Sequence, residues 1–139
     1  MSPDDDDYRR LLAFRTGLRR FLQWSEEQAH AVGLTAAQHQ LLLAVRGLSH
    51  ATTGATAPTV GDLSEALLAK HHSTVGLIDR AEAAGLVQRH RDDDDKRVVR
   101  IELTAQGTRL LAGLSAQHLA ELDQLAPVLR ALIRDAAPR

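Results

Sequence analysis

A mainly α-helical fold with one small β-hairpin is predicted by three features of the sequence. Apolar residues recur at three- and four-residue spacing through most of the chain, the pattern of helices with one buried face. Residues 97–103 alternate instead with period two, placing Val99, Ile101 and Leu103 on one face and Val98, Arg100 and Glu102 on the other, as a half-buried strand requires. A run too polar to bury, Asp92-Asp93-Asp94-Asp95-Lys96, precedes that segment and marks a hairpin tip.

The first helix is predicted over residues 8–31. Leu11, Phe14, Leu18, Phe21 and Leu22 form its apolar stripe, with Arg9, Arg10, Arg15, Arg19 and Arg20 around it, and Gly33-Leu34 ends it. The preceding Asp4–Asp7 run reads as solvated charge. Thr35-Ala36-Ala37-Gln38 is a capping-box pattern that opens a second helix reaching about Gly47, with Ala37, Leu41, Ala44, Val45 and Leu48 inward. Ser49 to Pro58 is a loop by composition.

Thr59 follows as an N-cap, with Asp62 in the first turn and Val60, Leu63 and Leu67 on the apolar face. After a tight break around Ala69–Ser73 a short helix runs to about Ala84, with Val75, Ile78 and Ala81 toward the core and Gly85 at a left-handed helix exit. Strand Leu86–Arg91 comes next, then the acidic tip and strand Arg97–Leu103. Thr104 caps a long helix with Leu111, Leu114, His118, Leu122 and Leu125 in its stripe, and Pro127 suits the first turn of a last helix, Val128 to about Ala136. Helix, tight break, helix and hairpin form a winged helix-turn-helix, whose second helix enters the DNA major groove.

These elements resemble the MarR family of bacterial transcription regulators. The matching residues are Ser73-Thr74-Val75, Asp79-Arg80, Ala84-Gly85-Leu86-Val87, Asp95-Lys96-Arg97, Leu103-Thr104 and Gly107. The resemblance implies a single domain over residues 1–139, with dimerisation helices at 8–34 and 104–136 and a winged DNA-binding lobe at 35–103. It implies a homodimeric, ligand-responsive repressor on palindromic duplex DNA, with Asp95 and Arg97 acting together in the wing and Arg97 reaching the minor groove. Two positions depart from the family pattern. Ala81 stands where leucine is usual, and three acids precede Asp95 in the wing and are expected to repel phosphate.

The DNA-binding residues expected from this layout are Lys70, His71, His72, Ser73, Thr74, Arg80, Arg89, Arg91, Lys96 and Arg97. Arg80, beside Asp79, reads either as its ion-pair partner or as a base contact. Net charge does not carry the assignment. The chain's formal charge is −1, and residues 70–103 hold seven Lys/Arg against seven Asp/Glu. Placement of a few cations matters more than a high isoelectric point. A winged helix that binds protein instead of DNA is the alternative on the same fold.

Composition narrows the remaining classes. The 139 residues are one domain's worth, 44% hydrophobic and 25% charged. The absence of cysteine excludes disulfides and thiol switches. No apolar run reaches the ~20 residues of a membrane span, and the acidic N-terminus lacks a signal-peptide pattern, so a cytoplasmic location is expected. No phosphate loop or nucleophile elbow points to an enzyme, and no cofactor is expected. Excess apolar surface on the terminal helices is best buried against a second copy.

All four aromatics, Tyr8, Phe14, Phe21 and Trp24, fall in the first helix. They are core packing or one wall of an effector pocket, with Phe21, Trp24, His30 and His39 the candidate residues and a small aromatic ligand the candidate occupant. His30, His39 and His118 with Glu26 or Glu27 form a weaker metal reading, because no pair has the spacing that sets two imidazoles on one helix face.

Overall fold

The computed structural model describes residues 1–49 and 56–135. Five helices and one hairpin follow in the order α1 (Asp5–Ala31), α2 (Ala36–Leu48), α3 (Val60–Leu67), α4 (His71–Ala83), β1 (Val87–Arg91), β2 (Val99–Leu103) and α5 (Ala105–Asp135). The predicted mainly helical fold with a β-hairpin wing is present.

Helix boundaries follow side-chain chemistry. Thr35–Gln38 and Thr59–Asp62 both form the reciprocal bonds of a capping box. A third box was not expected. Asp4 accepts from the Asp7 N–H while the Asp7 carboxylate accepts from the Asp4 N–H, so α1 starts at Asp5 and not at residue 8. Part of the acidic run is thus helix-start chemistry, with Asp5, Asp6 and Asp7 in the favourable first turn. Gly33 and Gly85 take the positive φ values, 82° and 75°, that helix exits require.

The last two expected helices are one. Pro127 lies inside the 31-residue α5. It forfeits one backbone hydrogen bond, but Leu122, Leu125, Leu129 and Leu132 keep a three-four-three spacing across it, so one helix holds its stripe in register. The Arg10 guanidinium donates to the Leu132 carbonyl and ties that end to α1. The expected end at Ala136 and most of the Ser49–Pro58 loop lie outside the described residues.

The core joins Leu41, Leu42 and Val45 of α2 to Leu63, Ile78, Ala81, Leu86, Val87, Ile101, Leu111 and Leu114. Burying each large aliphatic side chain contributes about 1.5–3 kcal/mol. On α2 the buried face includes Leu42 and His39, while Ala37 is exposed. On α4, Ile78 and Ala81 are buried, Val75 is half-buried, and Thr74 joins the buried face with its hydroxyl satisfied by the Lys70 carbonyl.

β1 and β2 pair antiparallel, with Arg89 opposite Ile101. Pro58 and Thr59 extend this sheet: the Ile101 N–H donates to the Pro58 carbonyl and Thr59 forms a bridge with Arg100. The entry to α3 is thereby fixed to the wing. α5 starts on the other side, where the Thr104 hydroxyl accepts from the Gly107 N–H and lies 2.6 Å from the Gly85 carbonyl as donor.

Candidate nucleic-acid interface

α3 and α4 are separated by a turn at Leu68, whose left-handed φ of 52° reverses the chain in one residue. α4 begins at His71, two residues earlier than Ser73, because the Lys70 carbonyl already accepts from the Thr74 N–H. His71 and His72 are therefore exposed first-turn residues of the helix. Ser73 and Arg80 are also exposed, as is Lys70 at the N-cap. Thr74 is withdrawn: it is 1% exposed and its hydroxyl is spent on the helix backbone.

The expected ion pair between Asp79 and Arg80 is absent. Asp79 pairs instead with Arg89 of β1, 2.6 Å away, and Arg89 also lies 2.7 Å from Glu82. The Arg89 N–H donates to Glu82 as well. Partial burial alone would lower the Arg89 pKa, but the hydrogen bonds to Asp79 and Glu82 raise it above its ordinary value. Arg89 thus clamps the wing to α4 and pairs with both acids of that helix. Sequence spacing carried no signal for this pairing, since the partners are ten and seven residues apart and meet across the α4–β1 turn.

At the wing tip, the Asp92 carboxylate accepts the N–H groups of Asp94 and Asp95 and receives Arg100 Nε at 2.7 Å. The hydrogen bond from Arg100 is the main cause of a lowered Asp92 pKa, supported by the Asp95 N–H. Asp95 accepts from Arg97 through both backbone and guanidinium, which holds its carboxyl below the usual range. The acidic run is therefore only partly a source of repulsion. Asp92 and Asp95 are internally paired and shape the turn, and Asp93 lies 3.5 Å from His90. Arg97 is displayed beyond them, its side chain 90% exposed. Lys96 and Arg91 are exposed too, with Arg91 donating to the Lys96 carbonyl.

A second cluster joins the terminal helices to the winged lobe. Trp24 lies 4.8 Å from His118 between ring centroids, Phe21 lies 5.9 Å from both, and His39 lies 4.8 Å from His118. His118 Nδ1 is 2.7 Å from the Leu114 carbonyl, which only accepts, so that nitrogen donates; Nε2 lies 2.6 Å from the Ser25 hydroxyl. Burial and the neighbouring charge at His118 lower the His39 pKa. His30 stands apart, exposed and 3.9 Å from Glu26. The structure substitutes His118 and Ser25 for it. The sequence offered His118 as a member of the α5 stripe and, with His39, in the metal reading, but not as a neighbour of Trp24.

The metal reading loses its geometry with His30. Among the described residues no three His, Asp or Glu side chains converge on one point. Beside the aromatic cluster, α1 and α5 enclose an open groove of about 710 Å³ lined by Arg9, Arg20, Phe21, Trp24, Glu121 and Leu125 among others. No helix among the described residues is long and apolar enough to cross a membrane.

Comparison with known proteins agrees with this architecture. The HTH-type transcriptional regulators YfiV and YsmB of Bacillus subtilis are 36% and 42% identical over 55 and 53 residues, 40% and 38% of this chain. Those stretches cover 34% and 36% of the relatives' own lengths, about a third of each. A MarR family protein from Bacillus stearothermophilus superposes with a TM-score of 0.73 at 24% identity, over 97% of this chain and 96% of that one. A Staphylococcus aureus MepR variant bound to an oligodeoxyribonucleotide gives 0.67 at 21% identity, over 91% and 96%. NadR in complex with 4-hydroxyphenylacetate gives 0.69 at 21% identity, over 90% and 86%. The MarR family model matches residues 32–98, the helix-turn-helix and most of the wing. That segment is similar to the MarR family, and the chain as a whole shares the fold of a solved MarR family protein.

Proposed function

We propose that this protein is a cytoplasmic, homodimeric transcriptional repressor that binds palindromic duplex DNA, with α4 in the major groove and Arg97 in the minor groove. The observation that carries this reading is the division of charge between α4 and the wing. Arg89 neutralises Asp79 and Glu82, Arg100 neutralises Asp92, and Asp95 presents the exposed Arg97. A chain with no net basic character thereby offers phosphate a locally cationic face.

Homodimerisation is supported by the apolar side chains left exposed on α1 and α5, among them Leu11, Leu12, Leu18, Leu22, Leu119, Leu122 and Ile133. A two-fold dimer sets two α4 helices against half-sites one helical turn apart. The MepR variant bound to an oligodeoxyribonucleotide supports DNA as the partner.

The groove beside Phe21, Trp24, His39 and His118 is our site for a small aromatic acid that weakens DNA binding. An apolar wall with Arg20 at its rim suits a ring bearing a carboxylate. The structure of NadR with 4-hydroxyphenylacetate supports that ligand class. Duplex binding to the DNA flanking the coding region, measured across salt concentrations, tests the whole reading. Specific binding that falls with salt is expected; the same weak affinity for every duplex would overturn it.

A further inference from the structure

The outward face of α4 is defined by the buried one. Thr74, Ile78 and Ala81 face the core, so His72, Gly76, Asp79, Arg80 and Ala83 lie on the opposite side at 100° per residue, with Ser73 at its flank. His72, Gly76 and Arg80 follow at four-residue steps, along one row. At the centre of that row Gly76 has no side chain, and Arg80 occupies the space. A Cβ built at Gly76 would come within 3.3 Å of Arg80 Nη1. The guanidinium therefore folds back along the helix, over the Gly76 backbone.

Arg80 is also the one side chain of α4 that keeps a guanidinium charge available. Its sequence neighbour Asp79 is taken by Arg89 at 2.6 Å, and Glu82 by the same residue at 2.7 Å. Among the described residues Arg80 has no ion pair. A wing residue removes both acids of the helix from competition for the cation on its outer face. The neighbouring outward positions Gly76 and Ala83 are small and leave room beside the guanidinium for a base-pair edge.

We propose that Arg80 reads a guanine in each half-site, and that Gly76 sets this specificity by leaving the space in which the guanidinium lies flat. Guanine presents two acceptors, N7 and O6, in the major groove, and the planar fork of arginine meets both at once. Lysine, a point charge, does not. The proposal rests on the DNA-reading function above and assigns the base that the α4 centre selects.

The test is selection of bound duplexes from a randomised library by the full-length protein and three variants. The parent is expected to enrich sequences with a guanine at one fixed position of each half-site. Arg80→Ala and Arg80→Lys each lower the preference for that guanine about 5- to 100-fold, the range of a bidentate base contact, and leave the other positions unchanged. Arg80→Lys does so with the salt dependence of binding intact. Gly76→Ala replaces a helical glycine and raises the melting temperature, yet its Cβ, 3.3 Å from Nη1, pushes the guanidinium aside by a few tenths of an ångström and weakens the same preference. A merely structural role for Gly76 would not combine higher stability with weakened discrimination at one base.

Three results overturn the assignment. Unchanged base preferences in the Arg80 variants remove Arg80 from readout. Equal weakening on all sequences, with a salt slope smaller by about one unit, makes Arg80 a phosphate contact. Undiminished guanine preference in Gly76→Ala removes the glycine's part. A parent protein that enriches no sequence overturns DNA reading itself, and this assignment with it.

Discussion

Asp95 holds Arg97 in a two-point contact, with Nε 3.1 Å from Oδ1 and Nη2 3.2 Å from Oδ2, while the Arg97 N–H donates to the same carboxylate. An exposed arginine otherwise samples many rotamers, and fixing one geometry lowers the entropy lost when it enters a narrow groove. Arg97→Ala is expected to weaken binding across many DNA sequences and reduce the salt slope by about one unit. Asp95→Asn, which keeps the shape and loses the charge, is expected to weaken binding less and leave the slope near the parent's. Salt titrations of duplex affinity measure both, and an unchanged slope for Arg97→Ala would remove the wing from the interface.

Trp24 is the only tryptophan, so its emission reports one place. It lies on the α1–α5 groove and in contact with His118. A salicylate-like acid is expected to quench Trp24 and to weaken DNA binding over the same concentration range. Arg20→Ala is expected to shift both curves together to higher concentration, since it removes the rim cation. Quenching without loss of DNA affinity would show a ligand site that is not coupled to DNA.

His39 makes stability pH-dependent in a direction set by its burial. Burial, then the charge at His118, lowers its pKa from the ordinary value of 6.5. The unfolded chain therefore takes up the proton first. The folded state keeps its full stability above that ordinary value and loses it progressively as pH falls through 6.5 toward the lowered folded value. Denaturation series from about pH 8 to about pH 5 are expected to show a steeper acid loss for the parent than for His39→Gln. Parallel curves would mean that His39 titrates alike in both states.

Gly107 and Gly113 both lie in α5 but meet different surroundings. A Cβ at Gly107 would overlap the Leu86 carbonyl, backbone that cannot swing aside, whereas a Cβ at Gly113 meets nothing. Gly107→Ala is expected to destabilise by about 1–3 kcal/mol, while Gly113→Ala stabilises by roughly 0.5–1 kcal/mol through helix propensity. Thermal unfolding of the two variants decides this. Equal shifts would show that α5 moves off Leu86 at little cost.

The sequence determined the features whose cause is local. Three helix starts, the left-handed exit at Gly85 and the period-two strand were legible because each rests on residues within one or two turns of one another. The wing was legible for the same reason, since a polar tip between two apolar alternations has few other uses. Only the tertiary structure decided the partners. Arg89 pairs with Asp79 and Glu82, Thr74 turns inward, and His118 takes the place of His30 beside Trp24. Those outcomes depend on how α4 meets β1 and how α1 crosses α5, geometry that no spacing along the chain encodes. Continuity of α5 through Pro127 belongs here as well: one lost hydrogen bond is a local cost, and whether the helix bears it is settled by an apolar stripe that stays in register and by Arg10 reaching across from α1.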